Sequence, residues 1–151
     1  IDLGGIGKGY ALDKAADIME EWDIKDFLLN AGFSTALAVG NGDKDGGWLV
    51  GVGGQWGKAA GVETIRLFNE ALNGSGTEVK GAHIVDPATG FPAKEHLAAW
   101  SVCPSATAGD ALSTAFMVMS SGNVKAFCST HEAIGAFVVE TDGQLVTIAK
   151  R

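Results

Sequence analysis

The chain has 151 residues, 46% of them hydrophobic, which is enough to bury the core of a single compact domain. Its formal net charge of -7, with eleven basic residues scattered along the sequence, argues against nucleic acid as a partner. No apolar run reaches the roughly 20 residues needed to span a bilayer, and the start carries no signal-peptide pattern. Cys103 and Cys128 lack metal-ligand spacing, so a zinc site is not expected, and whether they pair stays open.

The predicted elements begin with an amphipathic helix at residues 10–22, where apolar residues recur at helical spacing. Strands are predicted at residues 27–29 and 35–39, and because glycine-bearing turns follow both of them, we expect an antiparallel pair. Further apolar runs between glycine-rich segments predict strands at residues 48–52, 62–68, 82–85 and 99–102.

The period of the hydrophobic pattern changes after Pro104. A second amphipathic helix is predicted around residues 111–119, ending near residues 121–122, and a short third helix at residues 124–131. An Asp142-Gly143 turn between apolar runs at 134–140 and 145–148 predicts a hairpin. Strands interrupted by helices, without strict β-α-β alternation, favour an α+β fold with helices on a mostly antiparallel sheet. No linker divides residues 1–151, so we expect one domain.

The first cluster that can carry chemistry is the glycine-rich opening. Gly4, Gly5, Gly7 and Gly9 precede the first helix, with Lys8 among them. Glycine lets the backbone approach a ligand closely, and N–H groups at a helix start attract anions, so the stretch is a candidate phosphate cradle. It matches neither the Rossmann nor the Walker pattern. A tight turn without a ligand is the alternative interpretation.

The second cluster is H-I-V-D-P-A-T-G at residues 83–90, whose Asp-Pro-x-Thr-Gly segment is sound turn chemistry. His83, on the strand predicted ahead of this turn, is a candidate for contacting a ligand phosphate. The alternative is a half-buried sheet histidine that bonds a neighbour. Upstream, residues 73–77 read N-G-S-G-T and are interpreted as a glycine and hydroxyl loop with further donors, or as an ordinary loop.

The third cluster is A-G-D-A-L-S-T-A at residues 108–115. Asp110 and Thr114 are four residues apart on the second predicted helix, so their oxygens lie on one stripe. A carboxylate and a hydroxyl in this arrangement suit Mg²⁺, which prefers oxygen ligands and keeps positions for water and substrate phosphates. The alternative is that Asp110 complements the helix start and that Thr114 bonds the backbone.

In chain order, four blocks resemble the FAD:protein FMN transferase (ApbE) family: D-L-G-G-I-G-K-G-Y-A-L-D at 2–13, L-L-N-A-G at 28–32, H-I-V-D-P-A-T-G at 83–90 and D-A-L-S-T-A at 110–115. The resemblance implies Mg²⁺-dependent transfer of FMN from FAD to a threonine, or serine, hydroxyl of a target flavoprotein, with release of AMP. It also implies a bacterial cell-envelope or periplasmic location. Within the family pattern the chain resembles the C-terminal half, so we expect a fragment of a larger two-part domain.

Carried over by motif, the metal ligands would be the side chains of Asp110 and Thr114 and the carbonyls of Ser113 and Gly7, with the choice between Mg²⁺ and Mn²⁺ left open. Asp110 would thereby act in catalysis. His83 would contact the phosphates or assist proton transfer.

The resemblance also implies contacts to FAD. Gly5, Gly7 and Lys8 would lie against the diphosphate, and Asn30 and Gly32 would border the flavin nucleotide. Thr89, with Asp86, would shape the turn after His83. Ser75 is the candidate equivalent of the serine in the family's T-S-G, which here reads G-S-G, and Phe33-Ser34 follow N-A-G where members have a glycine and a polar residue.

Two other functions stay open beside flavin transfer. The same metal site acting on water would make an FAD pyrophosphatase that yields FMN and AMP. A chain that kept the residues for binding phosphate and metal, without the rest of the pocket, would be a non-catalytic FAD-binding module.

Overall fold

The computed structural model describes residues 2–42, 46–53, 63–78 and 81–148. Within these ranges the chain forms three helices and eight strands in an α+β arrangement, which confirms the predicted fold class. The elements in chain order are α1 (Gly7–Glu21), β1 (Phe27–Asn30), β2 (Thr35–Val39), β3 (Trp48–Val52), β4 (Glu63–Leu67), β5 (Glu70–Gly76), β6 (His96–Cys103), α2 (Ala106–Phe116), α3 (Ser121–Thr130), β7 (Gly135–Glu140) and β8 (Leu145–Ile148).

The main sheet has six strands in the order β1-β2-β5-β6-β7-β8, and every neighbouring pair is antiparallel. β3 and β4 form a separate antiparallel pair. Side chains of β6 alternate between the two faces of the sheet. Ala98, Trp100 and Val102 belong to the apolar cluster that contains Val52 and Leu67 of the β3-β4 pair. The opposite face carries the helices, so the main sheet is covered on both sides.

α1 begins at Gly7, three residues earlier than predicted, because the carbonyl of Leu3 accepts hydrogen bonds from the N–H groups of Ile6 and Gly7 and starts the helical turn. Its buried residues are Gly9, Leu12 and Ala16. Ile18 and Trp22, which contributed to the predicted apolar spacing, are 56% and 77% exposed. The face of α1 that packs on the sheet is therefore narrower than the sequence pattern indicated.

β5 occupies the part of the sequence that was interpreted as a glycine and hydroxyl loop, and that interpretation is wrong for residues 73–76. Gly74 lies opposite Trp100 of β6, and a Cβ on Gly74 would fall 2.6 Å from the indole nitrogen. The glycine of this strand makes room for a tryptophan ring, which is a known reason for glycine in a strand.

The strand predicted at residues 82–85 is also wrong, since only an isolated bridge between Val85 and Pro92 forms there. The backbone bonds of this segment stay within its own loop: Asp86 N–H donates to the Phe91 carbonyl, and Ala93 N–H donates to the Ile84 carbonyl. The segment therefore folds back on itself instead of joining the sheet.

α2 ends at Phe116, and residues 121–122 open α3 rather than ending α2, because the Ser120 side chain accepts from Asn123 N–H as an N-cap. The predicted hairpin at the end of the chain is confirmed as β7 and β8. Cys103 and Cys128 are both buried, unpaired thiols. In the part of the chain that the structure describes, no helix has both the length and the apolar character needed to cross a membrane.

Candidate functional site

The carboxylate of Asp110 caps the first helix although it lies on the second. Its Oδ2 accepts the backbone N–H groups of Lys8 at 3.1 Å and Gly9 at 3.0 Å, and its Oδ1 forms an ion pair with Lys8 Nζ at 3.1 Å. The Asp110 side chain is 1% exposed, whereas that of Lys8 is 39% exposed. α1 has no capping side chain at its own N-cap, Ile6. Asp110 thus supplies the negative group that a helix N-terminus favours.

Asp13 of α1 makes the reverse connection to the start of α2. Its oxygens accept from Ala106 N–H at 2.9 Å, Thr107 N–H at 2.9 Å, Thr107 Oγ1 at 2.6 Å and Ser105 Oγ at 3.0 Å. Partial burial acts to raise the pKa of the Asp13 carboxyl, but the bonds from Thr107, Ala106 and Ser105 together hold that pKa below its ordinary value of 3.8. Each of the two helices therefore carries the carboxylate that caps the other.

Glycine allows the two helices to approach this closely. A Cβ on Gly9 would overlap the backbone carbonyl of Ala106, and a Cβ on Gly5 would come to 3.0 Å from Thr114 Oγ1. The glycine-rich opening predicted as a phosphate cradle thus packs directly against α2, and this contact explains two of its glycines without a ligand.

Three hydroxyl groups gather beside Asp110. Ser75 Oγ of β5 lies 2.9 Å from Ser113 Oγ and 3.0 Å from Thr114 Oγ1, both on α2. Ser113 and Thr114 also donate to the main-chain carbonyl of Asp110, at 3.0 and 3.2 Å. The alternative that Thr114 bonds the helix backbone is therefore observed. The structure therefore brings Ser75, Ser113 and Thr114 together, and Thr114 lies against Gly5 of the opening loop.

A row of buried polar residues under α2 was missed by the sequence reasoning. Thr35, Asn73 and Ser101 lie opposite one another on β2, β5 and β6 and are 2%, 0% and 0% exposed. Ser101 Oγ donates to the Gly109 carbonyl at 2.7 Å, and a Cβ on Gly109 would overlap the Asn73 amide. This row touches α2 at the residue before Asp110. A polar side chain inside a strand was the available signal, but the loop interpretation of residues 73–77 hid it.

Asn30 and Gly32, predicted to border the flavin nucleotide, lie at the turn between β1 and β2. Gly32 has a φ of 69°, a left-handed conformation that glycine adopts readily. In the same turn, the Ser34 carbonyl accepts the N–H of Gly74 at 2.6 Å. The turn therefore lies beside the strand that carries Ser75.

His83 and Thr89 lie in the loop before β6, and both are exposed. Asp86 organises this loop: it accepts from Ala88 N–H at 2.9 Å and from Thr89 Oγ1 at 3.1 Å, as predicted for the turn. His83 Nδ1 is 2.9 Å from the Gly81 carbonyl. Because a carbonyl only accepts, this bond assigns a proton to Nδ1, and in the tautomer protonated only there Nε2 is an acceptor. Hydrogen bonds do not connect His83 to the Asp110 cluster in the described part of the chain.

The ligands that the resemblance predicts for a cation at Asp110 are all oxygen atoms. No cluster of three or more His, Cys, Asp or Glu side chains occurs among the described residues. The predicted set, however, consists of one carboxylate, one hydroxyl and main-chain carbonyls, which are the oxygen ligands that Mg²⁺ takes when substrate phosphates complete its shell. In the structure the Asp110 carboxylate contacts the ammonium group of the partly exposed Lys8 side chain.

Comparison with known proteins identifies the family of this chain. The family model described as "ApbE family" matches residues 1–138, so the chain belongs to the ApbE family. Curated relatives named FAD:protein FMN transferase include those of Haemophilus influenzae, 27% identical over 97% of this chain and 45% of the relative, and Escherichia coli K12, 28% identical over 95% and 43%. The chain spans less than half the length of these relatives.

Solved structures with the same fold cover almost all of this chain. The ApbE protein of Thermotoga maritima superposes with a TM-score of 0.81 at 31% identity, covering 97% of this chain and 50% of that protein. The flavin transferase ApbE of Vibrio cholerae gives a TM-score of 0.82 at 23% identity, covering 97% of this chain and 49% of that one.

Proposed function

We propose that this chain supplies the residues that bind the metal ion and the FAD phosphates in an FAD:protein FMN transferase. This activity moves FMN from FAD to a threonine or serine hydroxyl of a target flavoprotein and releases AMP. The observation that carries the proposal is the buried Asp110 carboxylate, which accepts the N–H groups of Lys8 and Gly9 in the first turn of α1. The hydroxyl of Thr114 bonds the main-chain carbonyl of the same residue and contacts Ser75. Membership of the ApbE family and the names of the curated relatives support the same activity.

The proposed reaction breaks the phosphoanhydride bond of the FAD diphosphate and forms a phosphoester bond to the acceptor. The acceptor hydroxyl oxygen attacks the phosphorus of the FMN half of FAD, and the bond from this phosphorus to the bridging oxygen breaks. AMP leaves with the bridging oxygen, and the hydroxyl proton passes to a base. A divalent cation supplies charge stabilisation at the phosphate oxygens when bound.

Asp110 and Thr114 are the proposed side-chain ligands of Mg²⁺, with the carbonyls of Gly7 and Ser113. Asp110 suits this role because its charge is kept from solvent and held in place by main-chain donors. Lys8 Nζ, which contacts Asp110, is the proposed ligand of the substrate phosphates.

The remaining predicted residues are given proposed roles as follows. Gly5 lets the opening loop lie against Thr114, and Ser75 fixes the hydroxyl of Thr114 from the neighbouring strand. His83 is the proposed base, since its Nε2 is an acceptor in the tautomer protonated only at Nδ1, and Thr89 keeps its loop folded. Asn30 and Gly32 are proposed to border the flavin nucleotide. A cell-envelope location remains a prediction from the resemblance.

The experiment that tests the proposal incubates the chain with FAD, Mg²⁺ and a flavoprotein domain that contains a modifiable threonine, and follows the acceptor mass and AMP release. The expected result is an acceptor heavier by one FMN, with equal AMP, that is lost in Asp110→Ala and kept in Asp17→Ala, an exposed change on α1. Unchanged transfer in Asp110→Ala contradicts the assignment. FMN and AMP without a modified acceptor identify an FAD pyrophosphatase, and tight FAD binding without turnover identifies a binding module.

A further inference from the structure

Asp13 stands out because a single side chain on α1 binds four donors at the start of α2. The donors are Ala106 N–H, Thr107 N–H and the hydroxyls of Ser105 and Thr107. The hydroxyl of Ser105 is itself the N-cap of α2, since it accepts from Ala108 N–H at 3.2 Å. Asp13 therefore holds the whole first turn of α2 against α1.

The same two helices are joined a second time at Asp110. Asp13 follows Gly9 by one helical turn, and Asp110 follows Ala106 by one helical turn, so the two carboxylates face each other's helix starts. The overlap that a Cβ on Gly9 would make with the Ala106 carbonyl means that the backbones are in contact between these two points. A shift of α2 that breaks the bonds of Asp13 would therefore also move Asp110 relative to Lys8 and Gly9.

From this geometry we propose that Asp13 is a positioning residue: by fixing the first turn of α2 on α1, it sets where the Asp110 carboxylate stands for the divalent cation. The cation part of this inference rests on the proposed function. Asp13 itself touches none of the groups assigned to the cation or to FAD.

The amide hydrogen-exchange rates of Lys8 and Gly9 report directly on the position of the Asp110 carboxylate. Lys8 and Gly9 are in the first turn of α1, where helix-internal acceptors are missing, and their N–H groups donate to Asp110 Oδ2 instead. Their hydrogen-exchange rates consequently depend on whether this carboxylate stays in place.

The experiment uses the full chain with Asp13→Asn, Thr107→Val and the control Asp17→Asn. Asp17 lies one turn further along α1, and its exposed carboxylate contacts Lys14 rather than α2. Amide exchange is followed by NMR, and the affinity for FAD is measured by flavin fluorescence with and without Mg²⁺, well below the unfolding temperature of each variant.

In Asp13→Asn we expect the exchange of Lys8 and Gly9 to accelerate about tenfold or more, and the gain in FAD affinity on adding Mg²⁺ to fall severalfold while the metal-free affinity is kept. Thr107→Val removes only the Oγ1 donor and should show the same changes in smaller size, and it provides the test if Asp13→Asn does not fold. Asp17→Asn should behave as the wild type.

Exchange at Lys8 and Gly9 that stays at the wild-type rate in the folded variants overturns the proposal. An equal loss of affinity with and without Mg²⁺ also overturns it, because a merely structural cap weakens both alike. If the affinity of the wild type for FAD does not change with Mg²⁺, the proposed function fails. The exchange rates alone then decide whether Asp13 positions Asp110.

Discussion

Asp110 lies on α2, yet its Oδ2 accepts the N–H of Gly9 on α1 at 3.0 Å. This bond places a charged carboxylate, 1% exposed, where the partial positive charge of a helix N-terminus stabilises it. A buried charge is costly unless it is paired and hydrogen-bonded. Here the Lys8 ammonium group pairs the charge of Asp110, and two main-chain N–H groups hydrogen-bond it. The family membership of the chain gives this arrangement its proposed use.

The close approach of α1 to α2 predicts that Gly9→Ala is destabilising. The added methyl group would overlap the Ala106 carbonyl, which is backbone and cannot turn away. We expect a loss of roughly 3 kcal/mol in the free energy of unfolding, the upper part of the range for overpacking. Gly7→Ala is the matched control, because its Cβ meets only Leu3 Cβ at 3.9 Å. Urea denaturation that gives equal midpoints for the two variants would contradict the packing described.

Gly109 and Asn73 predict a coupled pair of substitutions. Alanine normally gains about 1 kcal/mol over glycine inside a helix, but a Cβ on Gly109 would overlap the fully buried Asn73 amide. We expect Gly109→Ala to be net destabilising by about 1 to 3 kcal/mol, and Asn73→Ala to relieve most of that loss in the double variant. A double-mutant cycle in urea measures the coupling, and a value near zero would show that the two side-chain positions do not meet.

The lowered pKa of Asp13 predicts a pH-dependent contribution to stability. Since the pKa is lower in the folded chain than its ordinary 3.8, the ionised carboxylate stabilises the fold above about pH 4, and this contribution is lost as pH falls through the folded pKa. We expect Asp13→Asn to cost about 1 kcal/mol between pH 5 and 7, as for other helix caps. The difference from wild type should shrink below pH 3.8. Denaturation at several pH values measures it, and a difference that grows on acidification would have the wrong sign.

Sequence patterns correctly predicted the helices and strands whose formation depends on residues close together in the chain. The amphipathic repeat gave α1, and the Asp142-Gly143 turn gave the last hairpin. β5 could not be recognised from the sequence because Gly74 is required by its packing against Trp100, which lies on a strand further along the chain. The segment at 82–85 has a strand-like composition, but the turn set by Asp86 closes its backbone bonds within the loop.

The candidate site, like the fold, could be predicted only in part from the sequence. The resemblance selected Asp110, Thr114 and the glycine-rich opening, and in the structure Gly9 contacts Asp110 while Gly5 lies against Thr114. Asp13 and Ser101 were not singled out, because their partners on α2 become apparent only when the chain is folded. Pairing of residues distant in sequence was the information that the sequence alone lacked.

The most direct test of the central claim is a fluorescence titration of the chain with FAD, with and without Mg²⁺, in the wild type and in Asp110→Ala. We expect Mg²⁺ to strengthen FAD binding by about tenfold or more in the wild type, and this gain to disappear in Asp110→Ala while the variant stays folded. FAD binding that Mg²⁺ strengthens equally in both proteins would contradict the proposed role of Asp110, since the cation would then be held without its carboxylate.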